Sequence, residues 1–193
     1  MKMKSVGIFG GSFDPVHFGH LITTSFVYES QNLEKIIFVP NYISPLKTDQ
    51  KPTEAVHRIN MLKLAIEQYP FFDYSDFEIM RDEISYTVDT LLELKKKYQS
   101  IELIIGFDNL VVFDKWRSPE KIFEMAKVIV MKRKTDVSPP EHNKFFDRAV
   151  IIDTPTIDIS STEIRNRVKE GRPIDYLVPE KVKEYIYRNR LYK

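Results

Sequence analysis

The sequence predicts an α/β protein in which a parallel sheet carries helices on both of its faces. Apolar runs typical of strands alternate with segments of helical spacing along the whole chain. The strand runs are continuously apolar, as expected when neither face of a strand contacts water. The 193 residues are 42% hydrophobic and 30% charged, which predicts one globular domain over 1–193 with a helical segment from about 160 to 193.

The first half of the chain predicts two strands, each followed by a helix. The apolar run 5–9 is the first strand, and after a glycine-rich turn residues 20–30 can form a helix. The run 36–39 is the second strand, which Pro40 ends. Apolar residues recur at mostly helical spacing over 55–68 and predict the second helix.

The second half of the chain repeats this alternation. Thr87 can cap a helix that reaches about residue 98, and Ser118 followed by Pro119 predicts another helix start. Ser160 has the position of a capping-box serine, and Gly171 can end the helix that it begins. The remaining predicted elements are strands over 101–105, 128–131 and 150–152 and a last helix over 179–189.

Composition and charge exclude several classes of protein. No apolar run is long enough to span a membrane, and the start of the chain lacks the apolar core of a signal peptide. The absence of cysteine excludes a disulfide framework and a thiolate metal site, and it fits a reducing cytoplasm. A net charge of +1 gives no indication of nucleic-acid binding, although a local site for a small anion needs no net charge.

Glycine and histidine are concentrated at the beginning of the chain, where four of the six glycines lie within twenty residues. Glycine lets the backbone approach a ligand closely, and the free N–H groups of a helix start favour phosphate. His17 and His20 are three residues apart, so both can face one ligand and donate hydrogen bonds to phosphoryl oxygens. A tight turn with two exposed histidines would leave this spacing unexplained.

The glycine-histidine segment matches neither of the two commonest phosphate-binding motifs. The chain contains no G-x-x-x-x-G-K-[ST] and no G-x-G-x-x-G. Residues 10–20 read GGSFDPVHFGH and resemble the G-x-F-D-P-x-H-x-G-H signature of the HxGH nucleotidyltransferase superfamily. The resemblance implies a Rossmann-like nucleotidyltransferase fold, phosphate contacts from His17 and His20, and stabilisation of the reacting α-phosphate by His20. It also implies ATP contacts from the loop residues Gly10, Gly11, Ser12 and Phe13.

A second motif lies near the other end of the chain, where residues 159–165 read ISSTEIR. Hydroxyls at a helix start with an arginine one turn inside can cradle a phosphate, although a capped helix with a solvated arginine would look the same. The segment resembles the second superfamily signature, I-S-S-T-x-I-R. The resemblance implies that Ser161, Thr162 and Arg165 hold the β- and γ-phosphates of ATP.

Segments between the two motifs resemble the nicotinate-nucleotide adenylyltransferases in particular. They match V-P-x(4)-P-x-K at 39–47, S-Y-T-x-D-T-L at 85–91, I-G-x-D-x-L with a later K-W at 105–116, and Y-L-V-P at 176–179. The resemblance implies that Lys47 reaches a phosphate and that Gly106 and Asp108 contact the ribose of adenosine. It implies acceptor contacts from Ser85, Tyr86, Thr87, Trp116 and Arg117.

The acceptor residues also have ordinary structural explanations. A lone tryptophan is usually a core or rim residue, and a Ser-Tyr-Thr turn is often a helix cap. In a site, the face of Trp116 would stack on a pyridine ring and the free N–H groups of 85–87 would bind a carboxylate. Two positions depart from the family pattern, because residue 107 is Phe where a small residue is frequent and Arg117 replaces an aromatic residue or histidine.

The resemblance therefore implies an in-line displacement in which the 5′-phosphate of nicotinate mononucleotide attacks the α-phosphorus of ATP and pyrophosphate leaves. Mg²⁺ is the expected cofactor, held by ATP and water with no metal ligand from the protein. The alternatives are an adenylyltransferase for nicotinamide mononucleotide or another phosphorylated acceptor, and a nucleotide-binding sensor. The expected partners are ATP and the mononucleotide, with neither nucleic acid nor membrane, and the oligomeric state stays open, a homo-oligomer included.

Overall fold

The computed structural model describes residues 4–43, 45, 52–132 and 143–193, which form a sheet of six parallel strands. The strands are β1 (Val6–Gly11), β2 (Lys35–Pro40), β3 (Phe72–Tyr74), β4 (Ile101–Gly106), β5 (Lys127–Lys132) and β6 (Val150–Asp153). Their order in the sheet is β3-β2-β1-β4-β5-β6. The strand order reverses between β1 and β4, and sheets of this kind bind ligands at the carboxyl ends of the strands beside that point.

Helices connect the strands and cover both faces of the sheet. The α-helices are α1 (Phe18–Ser30), α2 (Ala55–Ile66), α3 (Phe77–Arg81), α4 (Thr87–Leu94), α5 (Phe107–Val111), α6 (Pro119–Met125), α7 (Ser161–Lys169) and α8 (Glu180–Arg188). Short 3₁₀ turns lie at Phe113–Lys115 and Phe146–Arg148. No helix in the described ranges has the length and apolar character needed to cross a membrane.

Two hydrophobic cores, one on each face of the sheet, follow from the alternation of side chains along the strands. Phe9, Ile104 and Ile129 belong to the core that α1, α2, α7 and α8 cover. Their strand neighbours Ile8 and Leu103 belong to the opposite core, which α4, α5 and α6 cover. Because both faces of the central strands are buried, these strands are continuously apolar, and the predicted fold class is confirmed.

The edge strand β6 does not follow this pattern. Val150 and Ile151 are 37% and 41% exposed, although both belong to an apolar run. The residues of β6 are therefore less buried than those of the central strands, although Ile152 packs against the core that contains Phe9.

The helix ends test the predicted caps. Ser160 accepts a hydrogen bond from the Glu163 N–H at 3.1 Å, and Gly171 has the left-handed φ of 69° that ends many helices. The cap of α4 is Tyr86 and not Thr87, which is the first helical residue. Ser118 precedes α6 as predicted, but its φ of 54° is left-handed and its side chain makes no capping hydrogen bond.

Besides the five-residue helix α5, two elements were not predicted from the sequence. Residues 72–74 form β3 at one edge of the sheet, and residues 77–81 form α3. Three and five residues are too few for a strand or helix period to be read from the sequence. Both pack against β2, so tertiary contacts decide their structure.

We expect Gly7→Ala to destabilise the fold, because a Cβ at Gly7 would lie 2.8 Å from Leu33 Cδ1 and 2.9 Å from Ile104 Cδ1. The cost should be about 1 kcal/mol, at the low end for overpacking, since both contacts are with methyl groups that can move. Urea unfolding measures it. Gly10→Ala is the matched control in the same strand, where the nearest atom is 4.0 Å away. Equal unfolding midpoints for the two variants would contradict the explanation.

Candidate active site

Two stacked histidines stand at the beginning of α1, beside the carboxyl end of β1. Their ring centroids are 3.7 Å apart with an interplanar angle of 27°. The backbone N–H of His17 donates to Nδ1 of His20 at 3.3 Å. Because Nδ1 accepts this bond, the proton of neutral His20 resides on Nε2, which makes Nε2 a hydrogen-bond donor. His20 can thus donate to an oxygen of a ligand.

Burial keeps this histidine pair uncharged at neutral pH. Desolvation lowers the pKa of His17 from 6.5 to about 4. The pKa of His20 is also lowered well below its usual value, first by burial and then by the charge of His17. The close packing needs glycine at position 19, because a Cβ there would lie 2.9 Å from Nδ1 of His17. In the free protein the pair therefore offers neutral donors.

A cleft of about 280 Å³ opens beside the histidines, at the point where the strand order reverses. Five residues predicted for the site line it: Gly10, His17, His20, Gly106 and Asp108. Met131 also lines the cleft, and the lining residues that were not predicted are Phe9, Gly19, Thr23, Phe107, Asn109, Thr154, Ile157 and Ile159. A mixed polar and apolar lining with a paired donor suits a nucleoside with its phosphates.

The two sequence motifs touch each other in the structure. The Ser161 hydroxyl donates to the carbonyl of Pro15 at 2.9 Å, across 146 residues of sequence. The Arg165 guanidinium donates to the carbonyl of Asp14 at 2.8 Å and to the Thr162 hydroxyl at 3.3 Å. Because its hydroxyl proton is engaged, Ser161 can offer a ligand its backbone N–H at the start of α7.

The residues of the glycine loop mainly support the site from within the protein and form little of the cleft surface. The Phe13 side chain is fully buried and packs with its edge against His20, at a centroid distance of 5.2 Å. The side chain therefore supports the His20 ring, and the predicted ATP contact of Phe13 stays a prediction that only its backbone could fulfil. The Ser12 carbonyl accepts a hydrogen bond from the Arg58 guanidinium at 2.8 Å, and Gly11 does not line the cleft.

In the turn before α4, the backbone N–H of Ser85 is engaged within the protein, whereas that of Thr87 has no acceptor in the helix. The Ser85 N–H donates to the carbonyl of Ile43 at 3.0 Å, and its hydroxyl oxygen accepts the Tyr42 N–H at 2.9 Å. Thr87 is the first residue of α4, so its N–H has no acceptor within the helix. Thr87 thus has an N–H group that is free to donate to an anion, and its predicted contact with the acceptor stays a prediction.

The fold brings Arg117, which follows Trp116 in the chain, to this same turn. The Arg117 guanidinium lies 4.6 Å from the centre of the Tyr86 ring and 3.9 Å from the Asp89 carboxylate. Trp116 stacks on Phe113 at 4.7 Å, so one face of the indole is covered. The other face is the one that a flat ligand ring can use.

The cytidylyltransferase-like family model matches residues 8–167 of the chain. The Probable nicotinate-nucleotide adenylyltransferase of Hydrogenobaculum sp. is 43% identical over 97% of both chains. The nicotinate-nucleotide adenylyltransferase of Bacillus subtilis is 40% identical over 99% of this chain and 100% of its own. The chain belongs to the nicotinate-nucleotide adenylyltransferase family. The family predicted from the sequence motifs is confirmed.

A solved structure has the same fold as this family member. Plasmodium falciparum nicotinic acid mononucleotide adenylyltransferase complexed with NaAD superposes with a TM-score of 0.81, and 98% of each chain is covered. The two sequences are 24% identical, so the similarity supports the fold alone. It agrees with the six parallel strands described above.

Some residues that line the site were not predicted, and one predicted residue lies outside the described part of the chain. Lys47 lies outside the described residues, so its predicted phosphate contact stays a prediction. Thr23, Asn109 and Thr154 are polar lining residues that the sequence analysis missed. Thr154 directly follows β6, and its place at a strand's carboxyl end was the available signal. In the described part of the chain, no three His, Asp or Glu side chains are grouped as metal ligands.

We expect His17→Asn to reduce the loss of stability in acid. In the wild type the unfolded chain binds a proton near pH 6.5 and the folded chain only near pH 4, so folding stability falls as the pH drops through this interval. The contribution is on the order of 2 kcal/mol. Urea unfolding of both proteins between pH 7 and pH 4.5 measures the difference. Parallel stability curves would mean that His17 is not buried in its neutral form.

Proposed function

We propose that the protein transfers AMP from ATP to nicotinate mononucleotide, forming nicotinate adenine dinucleotide and pyrophosphate, a step of NAD biosynthesis. The observation that carries the proposal is the contact between the two phosphate motifs, in which Arg165 and Ser161 bind the loop that leads to the stacked histidines. Relatives about 40% identical over their full length carry the name of this activity. The cysteine-free composition fits a reaction in the cytoplasm.

The chemistry needs no protein nucleophile, because the 5′-phosphate of the acceptor is already an anion. Catalysis then rests on alignment of the two phosphates and on donors aimed at the oxygens of the reacting α-phosphorus. The Nε2–H of His20 is such a donor, and its ring is held by Phe13 and by the His17 N–H. Approach of the ATP phosphates raises the pKa of a neighbouring imidazole, which strengthens this hydrogen bond as charge develops.

ATP is proposed to bind with Mg²⁺, which neutralises charge on its phosphate oxygens. Among the described lining residues of the cleft the only carboxylate is that of Asp108, which is exposed. A magnesium ion that keeps ATP and water as its main ligands suits this lining. Asp108 can then accept hydrogen bonds from the ribose hydroxyls.

The acceptor is proposed to lie between the start of α4 and Trp116. The free indole face stacks on the cationic pyridine ring, and the Thr87 N–H at the positive end of α4 donates to the carboxylate. Arg117 adds a positive charge beside the same turn. Since an amide presents its own N–H donors, one of these groups would lose its partner in nicotinamide mononucleotide.

We expect ATP-dependent pyrophosphate release with nicotinate mononucleotide and much less with nicotinamide mononucleotide or phosphopantetheine. The rate of pyrophosphate release, measured in parallel with each of the three acceptors, identifies the substrate. His20→Ala should lower kcat by about a hundredfold or more, because it removes a donor to the transition state. Efficient turnover of another acceptor alone, or ATP binding without release, would refute the proposal.

We expect Thr87→Pro to reduce the preference for the acid over the amide. Proline is tolerated at the first position of a helix, and Tyr86 has the extended φ and ψ of −108° and 123° that suit a residue before proline. The loss of one N–H should lower kcat/KM for nicotinate mononucleotide about tenfold, corresponding to about 1–2 kcal/mol. Glu180→Pro, at the first position of α8, is the matched control. An unchanged acid-to-amide ratio would exclude Thr87 from acceptor recognition.

A further inference from the structure

A buried carboxyl group lies beneath the turn that precedes α4. Glu78 belongs to α3 and is only 8% exposed. Its pKa is raised by burial, and hydrogen bonds from Thr90 and Ser85 oppose this shift. Nothing in the transfer reaction proposed above uses it. A carboxyl group is rarely buried unless its oxygens have specific partners.

The partners of Glu78 stand on both sides of Thr87. Thr90, itself 2% exposed, donates its hydroxyl to Oε1 of Glu78. The Ser85 hydroxyl also hydrogen-bonds the carboxyl group. Because residues 85 and 90 flank the first turn of α4, one carboxyl group holds both ends of the segment that presents the Thr87 N–H.

The direction of these hydrogen bonds requires an acceptor at position 78. The Ser85 oxygen already accepts the Tyr42 N–H at 2.9 Å, so the single hydroxyl proton of Ser85 is left to donate to Glu78. Thr90 donates to the same group. A carboxylate accepts on both oxygens, whereas an amide of the same shape offers one acceptor and one donor group.

We propose that Glu78 is a positioning residue, which fixes the orientation of the 85–90 turn and thereby the affinity for the acceptor mononucleotide. The inference rests on the proposed function in placing the acceptor at this turn. Arg81 and Asp89 are the other charged groups that face Glu78, and they form an ion pair with each other at 3.1 Å. The charge environment of Glu78 is therefore nearly balanced, and its two hydroxyl partners define its role.

Glu78→Gln tests the proposal because it keeps the shape of the side chain and replaces one acceptor by a donor. The KM for the acceptor should rise about tenfold, while the KM for ATP and kcat change less than twofold. Thr90→Val removes one of the two donors and should raise the acceptor KM less, and Thr90→Ser, which keeps the hydroxyl, should restore it. This pair decides the question even if the glutamine variant does not fold.

Glu102→Gln is the matched control for the loss of a buried carboxylate. Glu102 lies at the amino-terminal end of β4, away from the site, and pairs with Lys127 at 3.6 Å. The Glu102→Gln substitution should lower the melting temperature without changing the KM for the acceptor. A glutamine variant at position 78 that leaves the acceptor KM unchanged, or raises both KM values alike, would overturn the proposal.

Different results would refute the proposed function and the positioning role of Glu78. A wild-type protein that does not use nicotinate mononucleotide refutes the proposed function. The split between acceptor KM and ATP KM is then measured with whichever acceptor of the panel the wild type converts. A rise confined to that acceptor supports the positioning role, and an unchanged acceptor KM refutes it.

Discussion

The guanidinium of Arg58 joins the loops on which the site depends. Arg58 is 1% exposed, and it donates to the carbonyls of Ser12, Asn41 and Thr53 at 2.7–2.8 Å and more weakly to that of Tyr42 at 3.4 Å. These carbonyls belong to the loops after β1 and β2 and to the segment before α2. A buried charge is tolerated when its donors are satisfied, and one side chain thereby fixes the relative positions of three segments.

The same constraint explains why Asp14 belongs to the first motif although it is buried. Its carboxylate accepts hydrogen bonds from the Tyr192 hydroxyl at 2.7 Å and from the Thr53 N–H at 3.0 Å, while its carbonyl accepts Arg165. Burial lowers the pKa of Arg58, and the nearby Asp14 charge opposes that shift. Asp14 therefore stabilises the backbone conformation of the loop that follows β1. A residue can belong to a functional motif because it positions the backbone, without touching the ligand.

The polar support behind the site contrasts with the uncharged histidines that the site presents. Burial lowers the pKa of both histidines, so they are uncharged at neutral pH. Arg165 is connected to the histidine loop by the hydrogen bond that it donates to the carbonyl of Asp14. A preorganised pair of neutral histidines would need little rearrangement to receive phosphates, because both residues already line the cleft. Tyr42 links Arg58 to the turn before α4. Its carbonyl accepts a hydrogen bond from Arg58, and its N–H donates to the Ser85 hydroxyl oxygen.

The sequence by itself determined the fold class, the five longer strands and both phosphate motifs. Apolar runs and the histidine spacing are local patterns, and local patterns can be read without coordinates. Only the tertiary structure decided that Phe13 and Ser85 face inward, that β3 and α3 form, and that Arg58 and Glu78 support the site. These features depend on contacts between segments far apart in the chain, such as the 146 residues between Pro15 and Ser161. A buried arginine in a helix looks like any surface arginine until the carbonyls that accept its hydrogen bonds are known.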